Sequence, residues 1–168
     1  MADKSRRSKK PEKAPEKPKV KLTEGSKKAR LTAARLAAAQ VMYQMWLNGE
    51  DAKSATRDYM QNRAGFEIDG DTLVPADGEL LEKIVSGAEK HHKDIDAIIT
   101  KNLDKKSSSV EPLLRAILTA GIYELLQHTE IDAGIIIADY LNVTHSFYDG
   151  GEGKLVNAVL DKVAKAVR

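Results

Sequence analysis

The segment from Val110 to His128 limits what this chain can fold into more than any other. Placed at 100° per residue, Leu113, Leu114, Ile117, Leu118, Ile122, Tyr123, Leu125 and Leu126 project nearly all round a helix. A helix of that kind cannot lie on a surface, so other elements must surround it. Gly121 in its middle costs about 1 kcal/mol against alanine, which predicts a close approach by a neighbouring element. Upstream, Ser108 and Glu111 have the spacing of a capping box, and Pro112 falls in the first turn, where proline is tolerated.

The surrounding elements also read as helices. Arg30 to Asn48 forms one, with Gly49 placed to end it. Leu31, Ala34, Ala38, Val41, Met42 and Met45 make one face, which Leu36, Ala39, Tyr43, Trp46 and Leu47 extend round the back. Burial on most sides is expected. Asp51 to Arg63 reads as a second helix and Ala64 to Ala76 as a loop. Asp77 can cap a third helix running to about His91, and Asp94 to Leu103 gives a fourth. After the hub come Asp132 to Tyr148, with Ile136, Tyr140, Val143 and Phe147 on one stripe, a loop holding Gly150, Gly151 and Gly153, and Lys154 to Val167. No segment sustains period-two alternation. The sequence therefore predicts an all-α fold of about seven helices. The chain has room for one compact domain or for two small sub-bundles sharing an interface, with structure expected to begin near Lys27.

Charge is distributed unevenly. Residues 1–35 hold 13 Lys or Arg against 4 Asp or Glu, an excess of nine; the remainder holds 14 against 21, a deficit of seven. Residues 1–26, with Pro11, Pro15 and Pro18 among lysines and almost nothing apolar, are expected to form a disordered basic arm. A basic arm on an acidic body suits a chain that meets a polyanion, though a solubilising tail reads the same way. There is no cysteine, which removes disulfides and thiolate zinc sites. No secretory h-region is present, and no apolar run approaches the roughly 20 residues that span a bilayer. A soluble, cytoplasmic protein is expected.

Signals for catalysis are weak. His91, His92, Asp94 and Asp96 are the most metal-like cluster, but adjacent histidines on a helix point about 100° apart. The run Asp149-Gly150-Gly151-Glu152-Gly153-Lys154 lacks the spacing of a phosphate loop, and Leu155 stands where a hydroxyl residue would be needed. No enzyme activity, metal or cofactor is expected. The positive signal is Lys27, Lys28, Arg30 and Arg35, four cations within nine residues at the start of a helix. Such a cluster can neutralise phosphates and release counterions. Arg35 falls inside the apolar arc. It reads either as a snorkelling side chain with its head in water or as a cation held for a ligand. Phe147 and Lys154 flank the glycine loop; Phe147 reads either as core or as a stacking ring for single-stranded RNA.

Three blocks in this sequence, Ala34-Arg35-Leu36-Ala37-Ala38-Ala39-Gln40-Val41-Met42-Tyr43-Gln44, Leu114-Arg115-Ala116-Ile117-Leu118-Thr119-Ala120-Gly121-Ile122-Tyr123-Glu124-Leu125 and Leu155-Val156-Asn157-Ala158-Val159-Leu160-Asp161-Lys162, together resemble the NusB family of bacterial transcription antitermination factors. The likeness covers about residues 27–168, which it implies to be one helical domain with sub-bundles at about 27–76 and 77–168. It implies two helical sub-bundles, the first three helices packing on the other four. It also implies a protein that binds the single-stranded boxA element of ribosomal RNA leader transcripts together with NusE, a small-subunit ribosomal protein, and joins RNA polymerase and other Nus factors to promote complete ribosomal RNA transcription. By the same resemblance Lys27, Lys28, Arg30 and Arg35 occupy an RNA-binding arginine-rich region, Phe147 and Lys154 match further RNA contacts, and Tyr43 lies near the RNA and partner surfaces. The chain departs from the family at Leu155, where an aromatic is common, at Thr119 for an arginine, at Ala138 for an asparagine, and at Leu114 for a partner-contacting glutamate. Glu111, one turn earlier, is the substitute for that glutamate. An alternative is a helical protein-interaction adaptor or homodimer with only secondary RNA binding.

Overall fold

A computed structural model describes residues 25–63, 67–68, 71–72, 74–103 and 109–168. The arm expected over residues 1–26 lies outside them except for Gly25 and Ser26. The helices are α1 (Lys27–Asn48), α2 (Ala52–Asn62), α3 (Gly78–Lys90), α4 (His92–Asn102), α5 (Pro112–Gln127), α6 (Ala133–His145) and α7 (Glu152–Val167). Between α2 and α3 two short strands, β1 (Glu67–Ile68) and β2 (Asp71–Thr72), pair antiparallel, with Glu67 opposite Thr72 and Ile68 opposite Asp71. That hairpin stands where a plain loop was expected; two residues per strand are too few for alternation to register. The fold is otherwise all-α.

Helix ends follow their caps. The Ser26 hydroxyl accepts the Ala29 N–H at 3.2 Å, so α1 begins at Lys27, three residues before the expected start. Gly49 closes it in the left-handed region at φ 67°, where a side chain would be strained. Asp51 caps α2 through Ser54 N–H, Asp77 caps α3 through Leu80 N–H, and Asp132 caps α6 through Gly134 N–H. The capping box expected at Ser108 and Glu111 does not fall wholly within the described residues. Ser108 lies outside the described residues, and Glu111 is itself the residue before the helix, with no side-chain cap bond. Pro112 occupies the first position of α5. Gly153 belongs to α7, not to the preceding loop.

Helix α5 is the hub, packed on α1, α3, α4, α6 and α7. Gly121 meets the expected close approach: a Cβ there would come within 3.1 Å of both Leu160 methyls and 3.4 Å of Tyr140. One apolar cluster runs from Ala34 and Met42 of α1 through Leu81 and Ile84 of α3 and Ile117 and Ile122 of α5 to Ile136 of α6 and Leu160 of α7. Leu47 is the exception on α1: it stays 63% exposed, although the all-round apolar pattern predicts cover there. Among the described residues no helix is long and apolar enough to cross a membrane. His92 packs its ring on Trp46 and His91 on Tyr123, so the two histidines face different neighbours.

The end of α5 is held by Arg168. Its guanidinium donates to the carbonyls of Leu125 at 3.0 Å and His128 at 3.1 Å, and to that of Ile131. A cation at a helix C-terminus also meets the favourable end of the dipole. Arg168→Ala is expected to lower stability by about 1–2 kcal/mol, read from denaturant midpoints. An unchanged midpoint would show the clamp to be idle.

Candidate nucleic-acid interface

The first turn of α1 carries Lys27, Lys28 and Arg30, all exposed, with no acidic residue in that turn. Among the described residues none of the three forms an ion pair. Two tethers fix this end of the helix. The Asp77 N–H donates to the Arg30 carbonyl at 3.0 Å. The Thr32 hydroxyl lies 3.1 Å from Asp139 of α6 and 3.2 Å from the Lys28 carbonyl, and its single proton serves one of them at a time. The cations are therefore presented from an anchored helix.

Arg35 is not part of that surface. It is only 3% exposed, so neither sequence reading of it holds: its head is not in water and is not offered to a ligand. Nε and Nη2 donate to the two oxygens of Glu124 at 2.8 and 2.9 Å, and Nη1 donates to Asp139 at 2.7 Å. The Tyr140 hydroxyl donates to Glu124 at 2.8 Å, and His128 Nδ1 lies 3.1 Å from the same carboxylate. The physical reason is position. An arginine inside the apolar arc of α1 must face α5 and α6, and each supplies a carboxylate there. Glu124 and Asp139 were missed in the sequence; the available signal was an acid in a helix apolar all round, which calls for a buried cation.

Burial opposes the Arg35 charge, but the Glu124 bond and charge outweigh it and hold the guanidinium above its ordinary value. Burial likewise pushes Glu124 up, yet the bonds from His128, Arg35 and Tyr140 bring it below the usual range. A depressed carboxylate stabilises the fold above its unfolded value and loses that contribution as pH falls through the folded one. Stability is thus expected to decline on acidification below about pH 4. Glu124→Gln should flatten that limb while lowering stability at neutral pH. Denaturant midpoints measured across the acid range check this, and a limb identical to that of the unaltered protein would refute it.

Tyr43 and Phe147 come together in a groove of about 770 Å³, lined also by Gln40, Gln44, Leu47 and Asn48 of α1, Tyr59 and Asn62 of α2, Arg63, and Leu113 of α5. Arg30 and Tyr43 are 13 residues apart on one helix, roughly 20 Å along its axis. The aromatic groove and the cationic turn therefore lie at different heights along α1. Phe147, half-buried in the turn after α6, is both packed and accessible. Lys154 is exposed in the first turn of α7, where Gly153 lets the His145 ring pack close. Glu111 is elsewhere: it accepts the Tyr148 hydroxyl and shares a second cleft, of about 450 Å³, with Leu114, Glu152 and Leu155. Burial first, then that bond and the Glu111 charge, pushes Tyr148 above its ordinary value. Leu113 and Leu114 direct the start of α5 into one cleft each, so Tyr43 and Glu111 do not share a surface pocket.

Comparison with known proteins places this architecture. The profile of the NusB family matches residues 32–165. The Transcription antitermination protein NusB of Rhizobium rhizogenes is 41% identical over 138 residues, 81% of this chain and 86% of that one. Its counterpart in Mesorhizobium japonicum is 40% identical over 138 residues, 81% and 89% of the two chains. A NusB chain solved with NusE and double-stranded RNA superposes with a TM-score of 0.66 at 27% identity, over 80% of this chain and 96% of that one. The NusB of T. maritima, at 21% identity and a TM-score of 0.64 over 80% and 89%, shares the fold. These relatives are regulatory proteins of transcription, not enzymes. On this evidence the chain belongs to the NusB family of transcription antitermination proteins.

Proposed function

We infer that this chain is a cytoplasmic antitermination factor that binds the single-stranded boxA element of ribosomal RNA leader transcripts together with NusE. Bound in that way it joins RNA polymerase and other Nus factors and promotes complete ribosomal RNA transcription. The observation that carries the reading is the first turn of α1: three exposed cations without carboxylate partners among the described residues, on a chain that is acidic beyond residue 35. Lys27, Lys28 and Arg30 hold phosphates, and Phe147 and Lys154 extend the RNA surface. Tyr43 and Glu111 serve NusE from different sides of the start of α5. Residues 27–168 act as one body, with about 27–76 and 77–168 as sub-bundles around a shared core. Joining two modest interactions, with RNA and with NusE, raises the effective affinity of each.

The relative solved with double-stranded RNA is consistent with a polyanion surface. Competition between a boxA-like oligonucleotide and a scrambled one, with and without NusE, tests the reading. A preference of about ten-fold or more for the boxA-like strand is expected, and equal binding of the two would overturn it. Exposed Leu47 favours a second reading, a homodimer or protein adaptor. Gel filtration alone and with NusE separates the two, since a homodimer that excludes NusE fits only the second.

A further inference from the structure

We propose that Asp139 reads the sugar of bound RNA: its outward oxygen, beside Lys28 on the edge between α1 and α6, accepts a hydrogen bond from a ribose 2′-hydroxyl. The ribose is that of the nucleotide whose phosphate Lys28 holds. This rests on the RNA-binding reading above and adds to it a residue that tells RNA from DNA.

Asp139 is only 8% exposed, and its two oxygens differ. Oδ2 faces inward, 2.7 Å from Arg35 Nη1 and 3.1 Å from the Thr32 hydroxyl. Oδ1 accepts nothing from the described residues, yet it is not among the side-chain oxygens sealed from solvent. The carboxylate is therefore anchored through one oxygen and presents the other. An acceptor fixed from behind in this way meets a ligand group at little ordering cost.

Its surroundings point to a nucleic-acid strand. The same Thr32 hydroxyl lies 3.2 Å from the Lys28 carbonyl, so Asp139 stands at the first turn of α1. At 100° per residue Lys28 is about 40° round the helix from Thr32, whereas Lys27 and Arg30 are about 140° and 160° away. Of the three exposed cations, Lys28 is the one on this edge. On α6 the neighbours of Asp139 at i−4, i−1 and i+3 are Ile135, Ala138 and Asn142, all exposed and uncharged. No second carboxylate on that stripe opposes a strand resting there, and Arg35 offsets the charge of Asp139 itself.

The chemistry selects the group. A carboxylate can only accept, so it needs a donor and repels a phosphate oxygen. In RNA the carbon next to the one bearing the 3′-phosphate carries the 2′-hydroxyl, a donor held close to the phosphate. DNA has no donor at that position.

The test uses the full chain and a boxA-like single-stranded RNA, with a set carrying one 2′-fluoro sugar at each position in turn and affinities from fluorescence anisotropy. Fluorine removes the donated proton while keeping the substituent small. The unaltered protein is expected to lose about ten-fold at one position. A second set, with one neutral methylphosphonate at each linkage, finds the phosphate held by Lys28 as the linkage to which Lys28→Ala becomes indifferent. That linkage should adjoin the fluoro-sensitive sugar. Asp139→Asn keeps a carbonyl for Arg35 and Thr32 and turns its NH₂ outward, so the fluoro penalty within that variant should fall to near unity. A loss of stability alone does not move that ratio, and if the variant fails to fold the first two sets still decide. No sensitive sugar, a sensitive sugar remote from the Lys28 linkage, or a penalty that Asp139→Asn retains overturns the sugar contact. The RNA-binding reading survives those results if Lys28→Ala has lowered affinity and salt slope, and falls with the proposal if it has changed neither. A preference that follows base identity in RNA and DNA alike would assign Oδ1 to a base amino group and also refute the proposal.

Discussion

Arg35→Ala is expected to destabilise the fold by about 3–5 kcal/mol, the cost of leaving buried charge uncompensated. Removing the guanidinium strands Glu124, which has no exposed surface, and takes three hydrogen bonds away from two carboxylates. Because total stability is of order 5–15 kcal/mol for a domain of this kind, the variant is expected to be partly unfolded at physiological temperature. A lysine in its place keeps the charge but not the planar fork that bonds both acids at once. The mechanism has its own control. Arg35→Met combined with Glu124→Gln and Asp139→Asn removes the charges together and should recover much of the loss, because the penalty lies in the unpaired ions more than in the missing pair. Urea midpoints at constant m-value measure both. If Arg35→Ala costs under about 1 kcal/mol, the cluster is not the internal support described here. Where Arg35→Ala is still folded, its RNA salt slope should match that of the unaltered chain, which separates support from contact.

Replacing Lys27, Lys28 and Arg30 together by alanine should give the opposite pattern. Each phosphate contact with a single strand contributes about 0.7 to the slope of log affinity against log salt. Losing three should make the slope shallower by about 2. At 0.1 M salt that corresponds to roughly a hundred-fold weaker binding, shrinking toward nothing near 1 M. All three side chains are exposed and unpaired among the described residues, so the folded stability should move by no more than about 0.5 kcal/mol. Titrations at several salt concentrations, with a thermal melt of each variant, decide the matter. An unchanged slope would remove RNA from this end of the helix, and a shared collapse of stability and binding would make the effect structural.

The two results together distinguish an arginine that builds the surface from cations that are the surface. The distinction could not be drawn from spacing. Arg30 and Arg35 look alike in the chain, five residues apart at the start of one helix. They point about 140° apart around the helix, enough to direct one into solvent and the other toward the acids of α5 and α6.

Local chemistry was legible because it acts over a few residues. Helical periods, the stop at Gly49, the cap at Asp77, proline in the first turn of α5 and the tight passage at Gly121 all follow from rules that span one or two turns. The all-α architecture around an apolar hub follows from them, since a helix apolar all round has only one kind of environment. Contacts between distant residues were settled by packing. Arg35 meets Glu124 and Asp139 across 89 and 104 residues, Tyr43 and Phe147 line one groove, and Leu47 stays 63% exposed. Side-chain direction within a helix comes from the backbone repeat, whereas the partner it finds depends on how helices cross. That angle is set by the whole interlocking core, not by any short stretch of sequence.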